Sequence, residues 1–128
     1  MLIPFLAAGI VLLAAFVLHT FTGTKEYLAI KPSEEKDFVR WAMGAGAFQM
    51  VSIDLLLTGV FALILGLELI DYNYYLALFI TLLYAGYLIV WLAMLALLRI
   101  KGTPLKYLSQ WVIFLAVLAL MAIGIIMQ

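Results

Sequence analysis

The run WAMGAGAFQMVSIDLLLTGVFALILGL, residues 41–67, sets the architecture. It carries one charged residue, Asp54, with thirteen uncharged residues on either side. A helix of about 20 apolar residues crosses the hydrocarbon core of a bilayer. A membrane β-barrel would need alternating segments of about 10 residues, and this run is continuous. On either side of it lie further stretches without Asp, Glu, Lys or Arg: Met1–Thr24, Tyr72–Leu98 and Tyr107–Gln128. The pattern predicts an all-α, polytopic membrane protein. Its single transmembrane domain, 1–128, has helices at about 3–22, 41–68, 73–98 and 106–127, with loops 23–40 and 99–105 between them. Short turns make consecutive helices antiparallel neighbours, so an up-down-up-down bundle is expected.

The composition agrees. Of 128 residues, 69% are apolar and 11% charged, with a mean hydropathy of +1.25. A soluble domain carries about 45–50% apolar and about 25% charged residues. The chain has no cysteine, which excludes disulfides, thiolate metal sites and thiol redox chemistry.

The zero net charge conceals a strong asymmetry. Lys25, Lys31, Lys36 and Arg40 fall between helices 1 and 2, and Arg99, Lys101 and Lys106 between helices 3 and 4. The positive-inside rule then places both loops in the cytoplasm and both termini outside. Glu68, Asp71 and the tyrosines Tyr72, Tyr74 and Tyr75 lie on the outer side, where aromatic rings suit the headgroup level. Met1–Thr24 lacks a basic n-region and a small-x-small cleavage site, so it is expected to remain as the first span. Three helix starts are expected. Ser33 caps before Glu34 and Glu35, Asp71 caps helix 3, and Gly102-Thr103-Pro104 opens helix 4. The apolar Tyr27-Leu28-Ala29-Ile30 is expected at the membrane surface, with Lys25, Lys31 and Lys36 facing headgroups.

Asp54 is the residue most informative about function. A charge at midplane costs about 2.5–3.5 kcal/mol on the insertion scale, so such acids face the bundle interior or a water-filled cavity. They can carry protons, coordinate cations or bind polar ligands, or simply tie helices together by hydrogen bonds. Thr58, four residues on, shares its face. His19 and Gln49 come to similar depth from helices 1 and 2, and Glu26 stands at the cytoplasmic mouth. A chain Glu26, His19, Gln49, Asp54, Thr58 is therefore a candidate ion or proton path. Ala45, Ser52, Gly59 and Gly66 recur every seven residues and form a small-residue stripe for close helix packing. Tyr84, Tyr87 and Trp91 make one aromatic face on helix 3, and their polar atoms need partners, for which Asp54 is available. Helix 4 is almost uniformly apolar and is expected to face lipid or another subunit.

No metal-ligand spacing, nucleophile elbow, phosphate loop or Ser/His/Asp grouping is present, and no catalytic, cofactor or metal residue is assigned. A zero-net-charge loop offers nucleic acid no basic patch. The segment His19-Thr20-Phe21-Thr22-Gly23, followed by Lys25-Glu26, resembles a group of small bacterial integral membrane proteins without assigned function, whose first helix ends in His-x-x-x-Gly. That group often has Trp-His early in helix 2, where this chain has Trp41-Ala42. The resemblance implies a four-span protein of the bacterial inner membrane and no particular activity. Three classes of function stay open. One is an ion, proton or small-molecule transporter or channel built on Asp54, as a homo-oligomer. The second is a non-catalytic accessory subunit of a membrane complex. The third is a membrane enzyme or cofactor binder. The partners expected are the lipid bilayer and a second copy or another membrane subunit.

Overall fold

A computed structural model describes residues 1–97 and 109–128. Among the described residues there are helices and no strands. The elements are α1 (Ile3–Val17), a π-helical turn (Leu18–Gly23), α2 (Thr24–Ala29), α3 (Glu35–Gly66), α4 (Tyr74–Leu97) and α5 (Gln110–Ile126). Three stretches are long and apolar enough to cross a membrane: Ile3–Ala29, Glu35–Gly66 and Tyr74–Leu97. The described part of the fourth has 17 residues, about 26 Å of helix. The Gly102-Thr103-Pro104 cap, the basic residues Arg99, Lys101 and Lys106, and the loop 99–105 lie outside the described residues.

The first helix does not end near residue 22. It continues through the π turn and α2 to Ala29, so the expected loop 23–40 contracts to residues 30–34. Gly23 holds an ordinary right-handed helical conformation, and nothing in Thr24-Lys25-Glu26-Tyr27 opposes a helix. Ile30 leaves it, and Pro32 prevents its resumption. Two of the expected caps are displaced. The extended residue before α3 is Glu34 and no side chain caps the helix. Ser33 lies one residue too early, and Glu35 and Asp37 meet the helix dipole instead. At α4 the cap is Asn73, whose Oδ1 accepts the Leu76 N–H at 3.0 Å. Asp71 is two residues too far from the helix start.

α1 and α3 form an antiparallel ladder held by small residues. The Leu2 N–H donates to the Gly66 carbonyl at 2.8 Å. A Cβ added at Gly66 would collide with the Leu6 backbone, and one at Gly59 would lie 2.9 Å from Leu13 and 3.1 Å from Leu12. Gly9 returns the fit from α1, where a Cβ would meet Leu63 at 2.7 Å. At the far end of the ladder Tyr27 and Trp41 stack, and each donates a side-chain hydrogen to the other's carbonyl at 3.3 Å. The Lys31 ammonium lies over the Phe38 and Trp41 rings, 5.4 and 5.9 Å from their centroids.

Consecutive helices are not all close neighbours. α1 packs on both α3 and α5, and α5 packs on α4, while α3 and α4 touch only thinly. The expectation that the last helix is an outer wall is therefore corrected. Val117, Met121 and Gly124 of α5 are buried, and the Phe5 ring occupies the space over Gly124. Side-chain size explains the order. α1 presents Ala8, Gly9, Leu12 and Ala15 as buried residues, which admit neighbours on two sides. On α4, Tyr84 reaches α3 through its hydroxyl at Thr58, while Trp91 meets Phe114 of α5.

The outer surface is apolar around the bundle. Ile10, Met43, Met50, Ile53, Leu82, Ile89, Val90 and Ile123 are all exposed. In water such a surface would be unfavourable by about 25 cal/mol per Å²; against lipid tails it is neutral.

Candidate functional site

The site grows from Asp54 on α3. Thr58 lies one turn further and donates its hydroxyl hydrogen back to the Asp54 carbonyl at 2.7 Å. That bond satisfies a hydroxyl inside an apolar helix. It also fixes what Thr58 can do next, because a hydroxyl has one hydrogen. Thr58 Oγ1 lies 2.9 Å from the Tyr84 hydroxyl on α4, so Tyr84 must be the donor in that pair. Both residues are buried.

Tyr87, three residues along α4, brings its hydroxyl to the neighbourhood of the Asp54 carboxyl. The two tyrosines pack edge to face with centroids 5.5 Å apart. Phe114 of α5 braces them, at 6.2 Å from Tyr84 and 5.8 Å from Tyr87, and meets Trp91 at 6.0 Å. Asp54 itself is half-buried. Its Oδ2 is enclosed and has no hydrogen-bond partner among the described residues. The thin α3–α4 seam is thus bridged by polar groups, with one acceptor left over.

The other expected members gather elsewhere. His19 sits in the π turn, stacks on the Phe48 ring at 3.9 Å, and places Nε2 2.9 Å from the Phe48 carbonyl. A carbonyl only accepts, so Nε2 carries the hydrogen. The expected His19–Gln49 contact is not formed. Gln49 instead donates to Thr24 Oγ1 at 2.9 Å, and Ser52 donates to Gln49 Oε1 at 3.5 Å. Glu26 is exposed on α2 and joins neither group. The relay from Glu26 through His19 and Gln49 to Asp54 is therefore broken. Gln49 and Asp54 are five residues apart, about 140° around the helix, so one faces α2 and the other α4.

Of the small-residue stripe, Ser52, Gly59 and Gly66 are buried and Ala45 is half-buried. Sequence reasoning missed Gly9 and Gly124, which receive Leu63 and Phe5; both are isolated glycines in apolar runs, a signal only in hindsight. Tyr84 and Tyr87, whose polar atoms were expected to find Asp54, stand opposite it on α4, and Tyr84 bonds to Thr58 rather than to the acid itself. Among the described residues no group of three or more His, Asp or Glu side chains is placed to hold a metal ion. No protein family, curated protein or solved structure matches the chain.

Proposed function

We propose that this chain is a small four-span integral membrane protein that moves a cation across the bilayer by way of Asp54. The observation that carries the reading is the enclosed, unpartnered Asp54 Oδ2 in the α3–α4 seam. A buried polar atom without a partner is costly, and in a membrane such an acid marks a pathway more often than a packing device. The seam supports the reading too. It is a thin contact, so it can part without dismantling the α1–α3 ladder.

The proposed topology has both termini outside and the loop carrying Lys25, Lys31, Lys36 and Arg40 in the cytoplasm. The membrane proposed is a bacterial inner membrane, a reading supported by the resemblance of the His19–Gly23 segment to small bacterial proteins. Four short helices enclose little, so a homo-oligomer is part of the proposal. Gly86, with open space above it on α4, is a place where a helix of a second copy could approach closely. The protein is reconstituted into vesicles and ion flux is recorded for the wild type and Asp54→Asn. Asp54-dependent flux supports the reading. Equal flux in the two, or flux no greater than in empty vesicles, contradicts it. A partner chain that co-purifies at fixed stoichiometry would assign the protein to the accessory class instead.

A further inference from the structure

We infer that the ion taken up by the Asp54 site is a single proton, bound on Oδ2, and not an alkali cation or an organic ammonium. The inference rests on the transport reading above and names its substrate. Three observations carry it. The first is the hydrogen-bond inventory. Thr58 donates to the Asp54 carbonyl and Tyr84 to Thr58. Neither hydrogen is available to the carboxyl, and Oδ2 is left without a partner among the described residues.

The second is space. Oδ2 exposes less than 1 Å², too little for a water molecule to touch it. A sodium or potassium ion, or a protonated amine, would have to displace the tyrosines. A proton forms an O–H bond on the atom itself, neutralises the carboxylate and needs no volume. The third is the donor set. A metal cation needs several oxygen lone pairs around it. Here the nearest oxygens are already engaged: the Asp54 carbonyl accepts from Thr58, and the Thr58 hydroxyl accepts from Tyr84.

The surroundings supply no competing charge. The titratable groups facing Asp54 are Tyr84 and Tyr87 of α4. α1 and α5 contain no Asp, Glu, His, Lys, Arg or Tyr, and His19, beyond α1, is engaged with Phe48. The proton must enter and leave through an opened seam, from water on one side and then the other.

The test is infrared spectroscopy of the protein in lipid, paired with flux under exchanged gradients. Protein labelled with ¹³C only at aspartate should show a protonated-carboxyl carbonyl band at neutral pH that moves with the label. Asp37 and Asp71 are exposed, which leaves Asp54 as its source, and Asp54→Asn should abolish it. Flux should follow an imposed pH gradient and stay unchanged when Na⁺ replaces K⁺. Asp54-dependent flux that follows a Na⁺ or K⁺ gradient, with no labelled band, overturns the proton and leaves the transport reading standing. A labelled band without Asp54-dependent flux upholds the proton site and removes the transport reading. Flux of an organic ammonium, with the band lost on its addition, overturns the assignment in favour of that ligand.

Discussion

Thr58 Oγ1 and Tyr84 Oη meet at 2.9 Å across the α3–α4 seam, and Tyr84 is the donor because Thr58 has already given its hydrogen to Asp54. The pair is therefore asymmetric. Thr58→Val strands the hydroxyl of a fully buried tyrosine, at about 1–3 kcal/mol. Tyr84→Phe leaves Thr58 with its bond to the Asp54 carbonyl and should cost about 1 kcal/mol or less. Thermal unfolding in mild detergent should rank the two in that order. Equal costs would mean that the donor direction is wrong.

Glycines on α3 should separate into two classes. Gly46 has open space where a Cβ would go. Gly46→Ala should therefore be neutral or stabilise by up to about 1 kcal/mol through helix propensity. Gly66→Ala drives a methyl into the Leu6 backbone, and overpacking of this kind costs about 1–3 kcal/mol. Monodispersity on size exclusion and the unfolding temperature report both. A Gly66→Ala protein as stable as the wild type would contradict the α1–α3 ladder.

Glu68 closes α3 in a left-handed conformation, φ 55°. The Leu69 N–H reaches back to the Ile64 carbonyl and the Glu68 N–H to that of Leu65, a terminus that favours glycine at Glu68. The Glu68 carboxylate pairs with the Met1 amino group, but both are exposed, and exposed pairs contribute little. Glu68→Gly should therefore stabilise the fold by about 1 kcal/mol. Destabilisation by Glu68→Gly would show that the ion pair outweighs the backbone strain.

At the same end, the Tyr72 hydroxyl is buried with no hydrogen-bond partner among the described residues. Burial, and then the neighbouring Tyr74, push its phenol above the ordinary value of 10.0. The folded state holds this proton more tightly than the unfolded chain. The stability it adds is full below the unfolded value and is lost as pH rises through the folded one. An ultraviolet titration of wild type minus Tyr72→Phe should show one phenol ionising above 10.0. Ionisation at or below that value would place Tyr72 in open solvent.

The helices were legible because lipid imposes a length and a composition on each of them. Residues 41–67 could hardly be anything else. Termini were harder. The first helix outruns its apolar stretch because Thr24-Lys25-Glu26-Tyr27 is compatible with a helix in any solvent, and hydropathy marks the lipid boundary rather than the helix end. Asn73 displaced Asp71 as a cap by a two-residue shift that composition does not encode. His19 found a backbone carbonyl, and carbonyls are absent from any side-chain pattern. The thin α3–α4 seam depends on which large side chains meet across it, a tertiary fact. Asp54 and Thr58 could be paired by helical spacing alone, and the aromatic face of Tyr84 and Tyr87 pointed to Asp54 as an acceptor; that Tyr84 reaches Thr58 instead follows only from where α4 sits.

Asp54 is proposed to do chemistry in the membrane rather than merely pack there. That role is tested most directly by the initial rate of pH equilibration in proteoliposomes of matched protein content, comparing wild type, Asp54→Glu and Asp54→Asn. The account predicts flux in the wild type, partial flux in Asp54→Glu, and a rate in Asp54→Asn equal to that of empty vesicles. A folded Asp54→Asn protein that equilibrates pH as fast as the wild type would contradict it.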